Sequence, residues 1–199
     1  MRVIAGEFRS RRLASVPGLQ TRPTPDRLRE SLFNILAPRI QGAVFVDLYA
    51  GTGAVGIEAL SRGAAKAIFV ERGRAALDAL RDNVRSLGLA ARVDIRQGKV
   101  TAMIDRVVEP AQAVIVFLDP PYEMEPEYGI VLEKLAEDPP GLVIAQHSTR
   151  LTLKEGYGPL HRTRVLKQGD NALSFFEPNR FEPNGEPESP LTDSPSSTS

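Results

Sequence analysis

The apolar positions of this chain form two kinds of pattern, which alternate along the sequence. Short apolar runs such as "AVFVDLY" (43–49), "KAIFVE" (66–71) and "AVIVFLD" (113–119) predict buried strands. The segments 24–36 and 74–87 instead place apolar residues three and four positions apart, which predicts amphipathic helices. Alternation of strands with helices indicates an α/β fold, in which a parallel sheet is covered by helices on both faces.

Weaker patterns complete the predicted architecture. Further helices are predicted at 54–62, 100–108 and 127–137, and further strands at 92–97 and 141–148. Residues 160–177 predict two antiparallel strands joined by a turn at "QGDN". Such a pair would add an antiparallel edge to a mostly parallel sheet.

The two ends of the 199-residue chain differ in composition from its centre. Residues 1–22 are basic and lack clear periodicity, which predicts a basic N-terminal arm. Residues 178–199 are rich in Pro, Ser, Asn and Glu, so they cannot bury enough surface to offset chain entropy, and we predict a disordered tail. One domain is expected between them, over residues 23–177.

Charge and composition narrow the function classes. The net charge is zero, yet residues 1–40 contain eight arginines and three acids. This excess indicates a polyanionic partner, although a merely solvated basic surface remains the alternative. The absence of cysteine excludes disulfides and thiolate chemistry. No apolar run is long enough for a membrane span and the N-terminus has no secretory signal, so we expect a cytoplasmic protein.

The stretch "DLYAGTGAVG" (47–56) contains the glycine spacing of a dinucleotide-binding turn, at Gly51, Gly53 and Gly56. Glu71 ends the second strand twenty residues after Gly51, where it could accept hydrogen bonds from ribose hydroxyls. Asp47 argues against a dinucleotide, because its carboxylate would repel a pyrophosphate and would suit a cationic group, such as the amino group of a methionine moiety. The simpler alternative is that Asp47 caps the loop and that Glu71 begins the next helix.

The stretch "VIVFLDPPY" (114–122) is the most specific signal in the chain. Pro120 and Pro121 fix the backbone and remove two N–H donors, so the nearby carbonyls and the Asp119 carboxylate are available as acceptors. Tyr122 offers a flat face on which a base can stack. Together these groups could hold an exocyclic amine in line with an electrophile. The alternative is an ordinary turn, which is our interpretation of the similar "EDPPG" at 137–141.

In this order the motifs resemble a class I S-adenosylmethionine-dependent methyltransferase that acts on an exocyclic amine. The blocks "GEFRSRRL" (6–13), "RPTPDRLRESLFNIL" (22–36), "DLYAGTGAVGIEALSRGA" (47–64) and "FLDPPYE" (117–123) resemble the bacterial RsmD family. Those enzymes methylate N2 of a guanine, nucleotide 966, of 16S ribosomal RNA. The resemblance implies a Rossmann-like, mostly parallel seven-stranded sheet with an antiparallel strand near its edge and helices on both faces.

The resemblance also assigns roles to residues. It implies that Asp119, Pro120, Pro121 and Tyr122 hold the guanine amine. The cofactor S-adenosylmethionine would contact Thr24, Asp47, Tyr49, Ala50, Gly51, Thr52, Gly53, Glu71, Arg72, Gln97, Gly98, Lys99 and Asp119. RNA phosphates would contact Arg2, Arg9, Arg11, Arg12, Arg22 and Arg27, and the segment 22–24 would close over the site. The implied partner is 16S rRNA or an assembling small ribosomal subunit, with no metal and no membrane, and we expect a monomer.

Two positions depart from the family pattern. Relatives usually have an acid after the third strand that binds the adenine amino group, where this chain has Lys99, so backbone groups or Gln97 would have to substitute. Relatives commonly carry Glu in the strand after the Pro-Pro motif, where this chain has Gln146 and His147. We interpret His147 and His161 as core or surface residues rather than catalytic ones.

Three other functions remain open at this point. A DNA adenine or protein glutamine methyltransferase uses the same kind of motif. An NAD-dependent dehydrogenase would use the same glycines with different chemistry. A non-catalytic RNA-binding module would explain the arginines without any methyl transfer.

Overall fold

A computed structural model of the chain describes residues 1–16, 26–108, 111, 114–121 and 124–179. The described helices are α1 (Asp26–Ile40), α2 (Ala54–Ser61), α3 (Arg74–Ser86), α4 (Val100–Val107), α5 (Pro126–Glu137) and a short 3-10 helix (Ala90–Arg92). The described strands are β1 (Val44–Asp47), β2 (Lys66–Glu71), β3 (Val93–Gln97), β4 (Val114–Leu118), β5 (Leu142–Ser148), β6 (Gly156–Tyr157), β7 (Leu160–Gln168) and β8 (Asn171–Pro178).

All the described strands form one sheet in the order β3-β2-β1-β4-β5-β8-β7-β6. The first five are parallel, and β8, β7 and β6 are each antiparallel to the neighbour before them. The predicted α/β class with an antiparallel edge is therefore confirmed. The sheet has eight strands rather than the expected seven, because the two-residue β6 is too short to produce an alternating pattern.

Helices cover both faces of the sheet and create two cores. On one face α1, α2 and α3 pack over a centre in which the ring centroids of Phe33 and Phe45 are 6.0 Å apart and those of Phe45 and Phe117 are 6.4 Å apart. On the other face α4 and α5 pack over the opposite side of the same strands. Because both faces are covered, the central strand β4 is buried along its whole length.

Residues 1–16 do not extend from the domain but pack against α2 and α3. Val3 and Leu13 are buried, and the buried Glu58 of α2 accepts hydrogen bonds from the amides of Ile4 (2.7 Å) and Ala5 (3.0 Å). This segment shows no periodicity because helix side chains, rather than a regular partner strand, satisfy much of its backbone. The division of the chain into arm, domain and tail stays a prediction.

Several predicted elements end at slightly different residues from the observed ones, and two of these differences have a structural reason. Helix α1 continues to Ile40, past Pro38, because Leu36 and Ile40 both lie on its buried face. Thr24, with which the predicted helix begins, lies outside the described residues. Strand β8 ends at Pro178 and the amide of Asn179 donates to the carbonyl of Pro159, so ordered pairing extends just beyond the predicted domain boundary. Residues 180–199, most of the predicted tail, lie outside the described part of the chain.

Candidate active site

Three carboxylates meet at the carboxyl ends of three neighbouring strands. Asp47 is the last residue of β1, Glu71 is the last residue of β2, and Asp119 directly follows β4. Because β1 lies between β2 and β4 in the sheet, the side chains converge at one edge. The chain also changes direction across the sheet between β1 and β4, which is where open α/β sheets form their binding crevice.

The glycine loop after β1 presents an open side at Gly51. Its φ is 53°, a left-handed conformation that favours glycine, and no heavy atom lies within 4 Å of the position that a Cβ would occupy. Gly53 also has a positive φ, of 82°, but a Cβ there would lie only 2.3 Å from Leu80. Gly51 therefore borders free space, whereas the absent side chain of Gly53 permits the loop to pack on α3.

Gly56 allows α2 to approach the sheet. Its amide donates to Oδ2 of Asp47, the last residue of β1, at 3.2 Å. A Cβ on Gly56 would lie 2.3 Å from the ring of Phe69, which belongs to β2. Gly56 therefore serves the packing of α2 against both β1 and β2.

Glu71 ties the glycine loop to the beginning of α3. One carboxylate oxygen accepts a hydrogen bond from the Gly51 amide at 2.8 Å. The other accepts from the amides of Arg72 at 2.8 Å and Gly73 at 2.7 Å, immediately before α3. The helix-start role that we left open is therefore observed, together with a contact to the loop that would face the cofactor.

Asp47 is buried and unusually easy to protonate. Its Oδ2 accepts a hydrogen bond from the Gly56 amide at 3.2 Å, so it also caps the first turn of α2. Burial raises the pKa of Asp47 to about 7, and the negative charge of Glu71 adds to the shift, while the amides of Gly56 and Tyr49 oppose it. A nearby cation would favour the ionised form of this carboxyl.

Asp119 is half-buried near Asp47, and the pKa of its carboxyl is raised as well. Burial and, to a smaller extent, the charge of Asp47 raise the pKa of Asp119 to about 8. Its Oδ2 accepts a hydrogen bond from Nε2 of Gln146, in β5, at 2.8 Å. Pro120 is buried and Pro121 is exposed, while Tyr122 lies outside the described residues. The predicted base-stacking contact therefore stays a prediction.

The residues present fit a cofactor that carries positive charge. None of the ion pairs formed by the described residues involves Asp47, Glu71 or Asp119. These three carboxyl groups therefore have no basic side chain of the described residues as an ion-pair partner, and they lie near the open side of Gly51. S-adenosylmethionine has both an ammonium and a sulfonium group, so its charge complements this cluster, whereas a dinucleotide pyrophosphate would be repelled.

Other predicted cofactor residues line the same edge. The amide of the buried Ala50 donates to the Val70 carbonyl at 3.0 Å, and the Thr52 carbonyl accepts from Nδ2 of Asn83 at 2.9 Å. These bonds hold the loop between β2 and α3. Tyr49 is half-buried, and its hydroxyl donates to the carboxylate of Glu127 in α5. Burial is the main cause that raises the pKa of this tyrosine, and the contact with Glu127 is the next.

The end of β3 supplies the remaining predicted cofactor residues. The Gly98 amide donates to the carbonyl of Glu71 at 3.1 Å, which places this turn beside the end of β2. Gln97 and Lys99 are exposed there. Arg72 is also exposed, and its guanidinium lies 3.5 Å from the Met124 sulfur. Thr24, the last residue in the predicted set, lies outside the described residues.

The predicted RNA-binding arginines fall into two groups. The Arg2 guanidinium lies 3.9 Å from the carboxylate of Asp26 in the first turn of α1, and Arg27 is exposed in the same turn. Arg12 is next to Arg2 because the backbones of these two residues form an antiparallel bridge. Arg9 and Arg11 lie elsewhere: the Arg9 amide bonds the Gly6 carbonyl, in the hairpin tip that packs against the last residue of α2. The structure therefore does not bring all of these arginines to one place.

Arg11 and Arg22 complete the predicted RNA-binding set. The guanidinium of Arg11 donates to the Ser86 carbonyl at 3.3 Å, at the end of α3. Since α3 begins at the carboxyl edge of the sheet and runs back across it, Arg11 lies away from the carboxylates. Arg22 lies outside the described residues.

Two contacts were not expected from the sequence. The bond from Gln146 to Asp119 joins β5 to the residue after β4, and its sequence signal was the Glu that the family resemblance implies for this strand. The His147 ring bonds the Ser174 hydroxyl and the Ser148 carbonyl at 2.9 Å each, and burial lowers its pKa. This agrees with the predicted core role of His147, while His161 is exposed.

Solved structures with the same fold define the class. The Escherichia coli protein yhhF superposes with a TM-score of 0.76 at 29% identity, over 89% of this chain and 97% of that one. An RNA methyltransferase from Salinibacter ruber, solved with S-adenosyl-L-homocysteine, has a TM-score of 0.58 at 19% identity, over 83% and 99% of the two chains. The protein has a class I methyltransferase fold, whose methyl donor is S-adenosylmethionine.

The family follows from the sequence. Residues 1–177 match the family model described as "Conserved hypothetical protein 95", and this chain belongs to that family, the RsmD family. The Bacillus subtilis protein YlbH is 33% identical over 89% of this chain and 98% of its own length. Ribosomal RNA small subunit methyltransferase D of Escherichia coli is 42% identical over 61% of this chain, and that alignment spans 60% of the relative.

Two features are absent from the described part of the chain. No group of three or more His, Cys, Asp or Glu side chains there has the arrangement of a metal site. No helix among the described residues is long and apolar enough to cross a membrane.

The raised pKa of Asp47 predicts how stability depends on pH. In the folded protein this pKa is about 7, whereas an unfolded aspartate titrates near ~3.9. The folded state therefore holds more protons between these values, and the free energy of unfolding falls as pH rises through that range. Asp47→Asn has no proton to lose, so we expect this variant to be more stable than wild type at pH 8, by about 1 kcal/mol or more.

Thermal unfolding of the ligand-free protein at pH 5 and pH 8 measures this effect. We expect a smaller loss of stability between the two pH values in Asp47→Asn than in wild type. The exposed Asp82, which pairs with Arg85 in α3, provides a matched control, and Asp82→Asn should keep the wild-type pH dependence. Equal pH dependence in all three proteins would contradict a raised pKa at Asp47.

Proposed function

We propose that this protein transfers a methyl group from S-adenosylmethionine to the exocyclic N2 of a guanine in small-subunit ribosomal RNA, at nucleotide 966. The observation that carries the proposal is the position of Asp119, which directly follows β4 and lies beside the acidic end of β1. Membership of the RsmD family and the name of the Escherichia coli relative support a ribosomal RNA substrate.

The glycine loop and its carboxylates would hold the cofactor. Asp47 would face the cationic methionine end, Glu71 would accept hydrogen bonds from the ribose, and the open side of Gly51 would allow close approach. When bound, S-adenosylmethionine supplies an electrophilic methyl group. The exposed Gln97 and the Gly98 backbone would meet the adenine, because Lys99 has no acceptor to offer its amino group.

Asp119 would act on the guanine amine directly. Its carboxylate accepts a hydrogen bond from an N2–H group, which holds the amine and turns its lone pair out of conjugation with the ring. The amine must lose one proton as it becomes methylated, and Asp119 can take up that proton. A carboxyl whose pKa is raised to about 8 is suited to this, because general bases work best when their pKa lies near the operating pH.

The rest of the site would orient the base and the RNA. The Pro120 carbonyl would be a second acceptor for the amine, and Tyr122 would stack on the guanine. Helix α1 ends beside the beginning of β1, so its first turn lies towards the carboxyl edge of the sheet. Arg27 and Arg2 would therefore bind RNA phosphates near the target nucleotide.

Arg9 would bind a more distant part of the RNA. It lies near the far end of α2, and an eight-residue helix is roughly 12 Å long. A footprint of that size suits a folded RNA or an assembling small subunit better than a single nucleotide. We propose that the enzyme acts as a cytoplasmic monomer on this substrate.

The proposal is tested by methylating small ribosomal subunits that lack the modification. Subunits and naked 16S rRNA from a bacterium whose own family member has been deleted are incubated with the protein and labelled S-adenosylmethionine. Nuclease digestion followed by mass spectrometry then identifies the modified nucleotide. We expect N2-methylguanine at nucleotide 966 and at no other guanine.

Other products would lead to other conclusions. N6-methyladenine, or methylation of DNA or protein in parallel incubations, would contradict the guanine assignment while preserving methyl transfer. Binding of RNA without transfer in the presence of the methyl donor would contradict an enzymatic role altogether.

A further inference from the structure

Gln146 makes a direct contact with the proposed catalytic carboxylate. Its Nε2 lies 2.8 Å from Oδ2 of Asp119, and the residue is 4% exposed. An amide nitrogen can only donate, so the bond is strongest when Asp119 is ionised. The geometry joins the end of β4 to β5 through side chains, in addition to the backbone ladder between these strands.

The position of Gln146 is fixed from several sides. In the antiparallel part of the sheet, Gln146 of β5 lies opposite Leu173 of β8. The hydroxyl of the buried Tyr128, in α5, donates to the backbone carbonyl of Gln146 at 2.6 Å. Because the backbone of Gln146 is held on both sides, its side chain has few orientations available. It can therefore define the orientation of the Asp119 carboxylate.

Oδ1 of Asp119 is left for the substrate. Among the hydrogen bonds formed by the described residues, the bond from Gln146 is the one made to the Asp119 side chain, and it uses Oδ2. Holding one oxygen also fixes the direction of the other. A carboxylate that is free to rotate would pay an entropic cost each time it met the guanine amine.

We propose that Gln146 is a positioning residue for methyl transfer, which holds Oδ2 of Asp119 so that Oδ1 faces the substrate amine as an ionised acceptor. This inference rests on the proposed role of Asp119. It does not require any contact between Gln146 and the cofactor or the RNA. It also explains how a chain with glutamine in this strand, rather than the acid common among relatives, can support the same reaction.

Charged groups around the pair set the pH dependence. Asp47, at the end of β1, repels the Asp119 carboxylate, and Glu71, at the end of β2, repels Asp47 in turn. From α5, Glu127 contacts the hydroxyl of Tyr49. The charge of Asp47 and burial both favour protonation of Asp119, so the donor from Gln146 acts against them. Loss of that donor should require a higher pH to ionise Asp119.

The test replaces Gln146 by a residue of similar volume without a donor. Gln146→Met should lower kcat about tenfold, since hydrogen bonds to charged groups are worth roughly this factor or more. The KM values for S-adenosylmethionine and RNA should change much less than kcat. The acidic limb of the kcat profile should move to higher pH. Ser174→Ala, which alters a buried polar residue of β8 on the other face of the sheet, is the matched control and should leave that profile unchanged.

Gln146→Glu provides a second test with almost no change in shape. Its carboxyl can donate to Asp119 only when protonated, and when ionised it repels it. The acidic limb should therefore move further towards high pH than in Gln146→Met. This variant also keeps the proposal testable if the methionine variant fails to fold.

The outcomes separate this inference from the proposed function. A wild-type kcat and pH profile in both Gln146 variants, with Asp119→Ala inactive, would overturn the positioning role and leave the function intact. A change confined to KM, or a loss of folded protein without a shifted profile in either variant, would also overturn it. Full activity of Asp119→Ala would instead overturn the function on which the inference rests.

Discussion

Asp119→Ala is expected to lower kcat by about 10²–10⁴-fold, the range that a positioned proton acceptor contributes. The variant removes both the acceptor that holds the guanine amine and the base that takes its proton. Binding of S-adenosylmethionine should weaken far less than kcat falls, because Asp119 is one of many predicted contacts and those to the methionine and ribose come mostly from the ends of β1 and β2. Single-turnover methylation of small subunits measures the rate, and calorimetry measures cofactor binding.

The chain contains its own matched control for this experiment. The letters Asp-Pro-Pro recur at residues 138–140, where Asp138 is exposed after the end of α5 and far from the carboxyl ends of the strands. Asp138→Ala should therefore retain wild-type kcat. Activity within about threefold of wild type in Asp119→Ala would contradict the proposed role of this carboxylate.

Glu58→Ala is expected to destabilise the fold by about 3–5 kcal/mol, the cost of removing one partner from a buried charged network. The Glu58 side chain is fully buried and accepts hydrogen bonds from the amides of Ile4 and Ala5 and from Nε of Arg62 at 2.7 Å. Arg29 is also fully buried, and burial lowers its pKa while the charge of Glu58 opposes that shift. In Glu58→Ala, the amides of Ile4 and Ala5 and the Arg62 guanidinium would lose this acceptor. Arg29 would lose a nearby negative charge.

Chemical denaturation of the purified protein measures this loss. Glu133→Ala is the control, because Glu133 forms an exposed pair with Lys154, and such pairs contribute about 0–1 kcal/mol. Glu58→Gln keeps the shape and one acceptor oxygen, so its loss should be intermediate. A change in Glu58→Ala no larger than in the control would show that residues 1–16 add little to stability through this contact.

The elements of the sheet could be predicted because their signals are local. Strand β2 was predicted at 66–71 and is observed as Lys66–Glu71, since a continuous apolar run between turn residues has few alternatives. The convergence of Asp47, Glu71 and Asp119 could also be predicted, because the carboxyl ends of neighbouring parallel strands lie at the same edge. No contact between distant side chains was needed for either conclusion.

The contacts between elements could not be predicted in the same way. The contact of Gly56 with Phe69 of β2 is one example, because the lateral position of a helix over a sheet depends on all the side chains beneath it. Residues 1–16 gave no periodic signal, yet Val3 and Leu13 are buried against helices that come later in the chain. The apolar surroundings of Val3 and Leu13 come from residues distant in the sequence, so the residues adjacent to them in the chain do not indicate that they are buried.

The sequence by itself determined the class of this protein, through the glycine loop, the acids at the strand ends and the "DPPY" motif. These signals are short, and each acts through backbone geometry that a few adjacent residues define. Only the tertiary structure decided that Gln146 bonds Asp119 and that Arg9 lies in the turn packed on the end of α2, whereas Arg27 lies in the first turn of α1. It also decided that burial brings two carboxyl pKa values near neutrality. Those properties depend on desolvation and on distances across the sheet, which arise only when separate segments pack together.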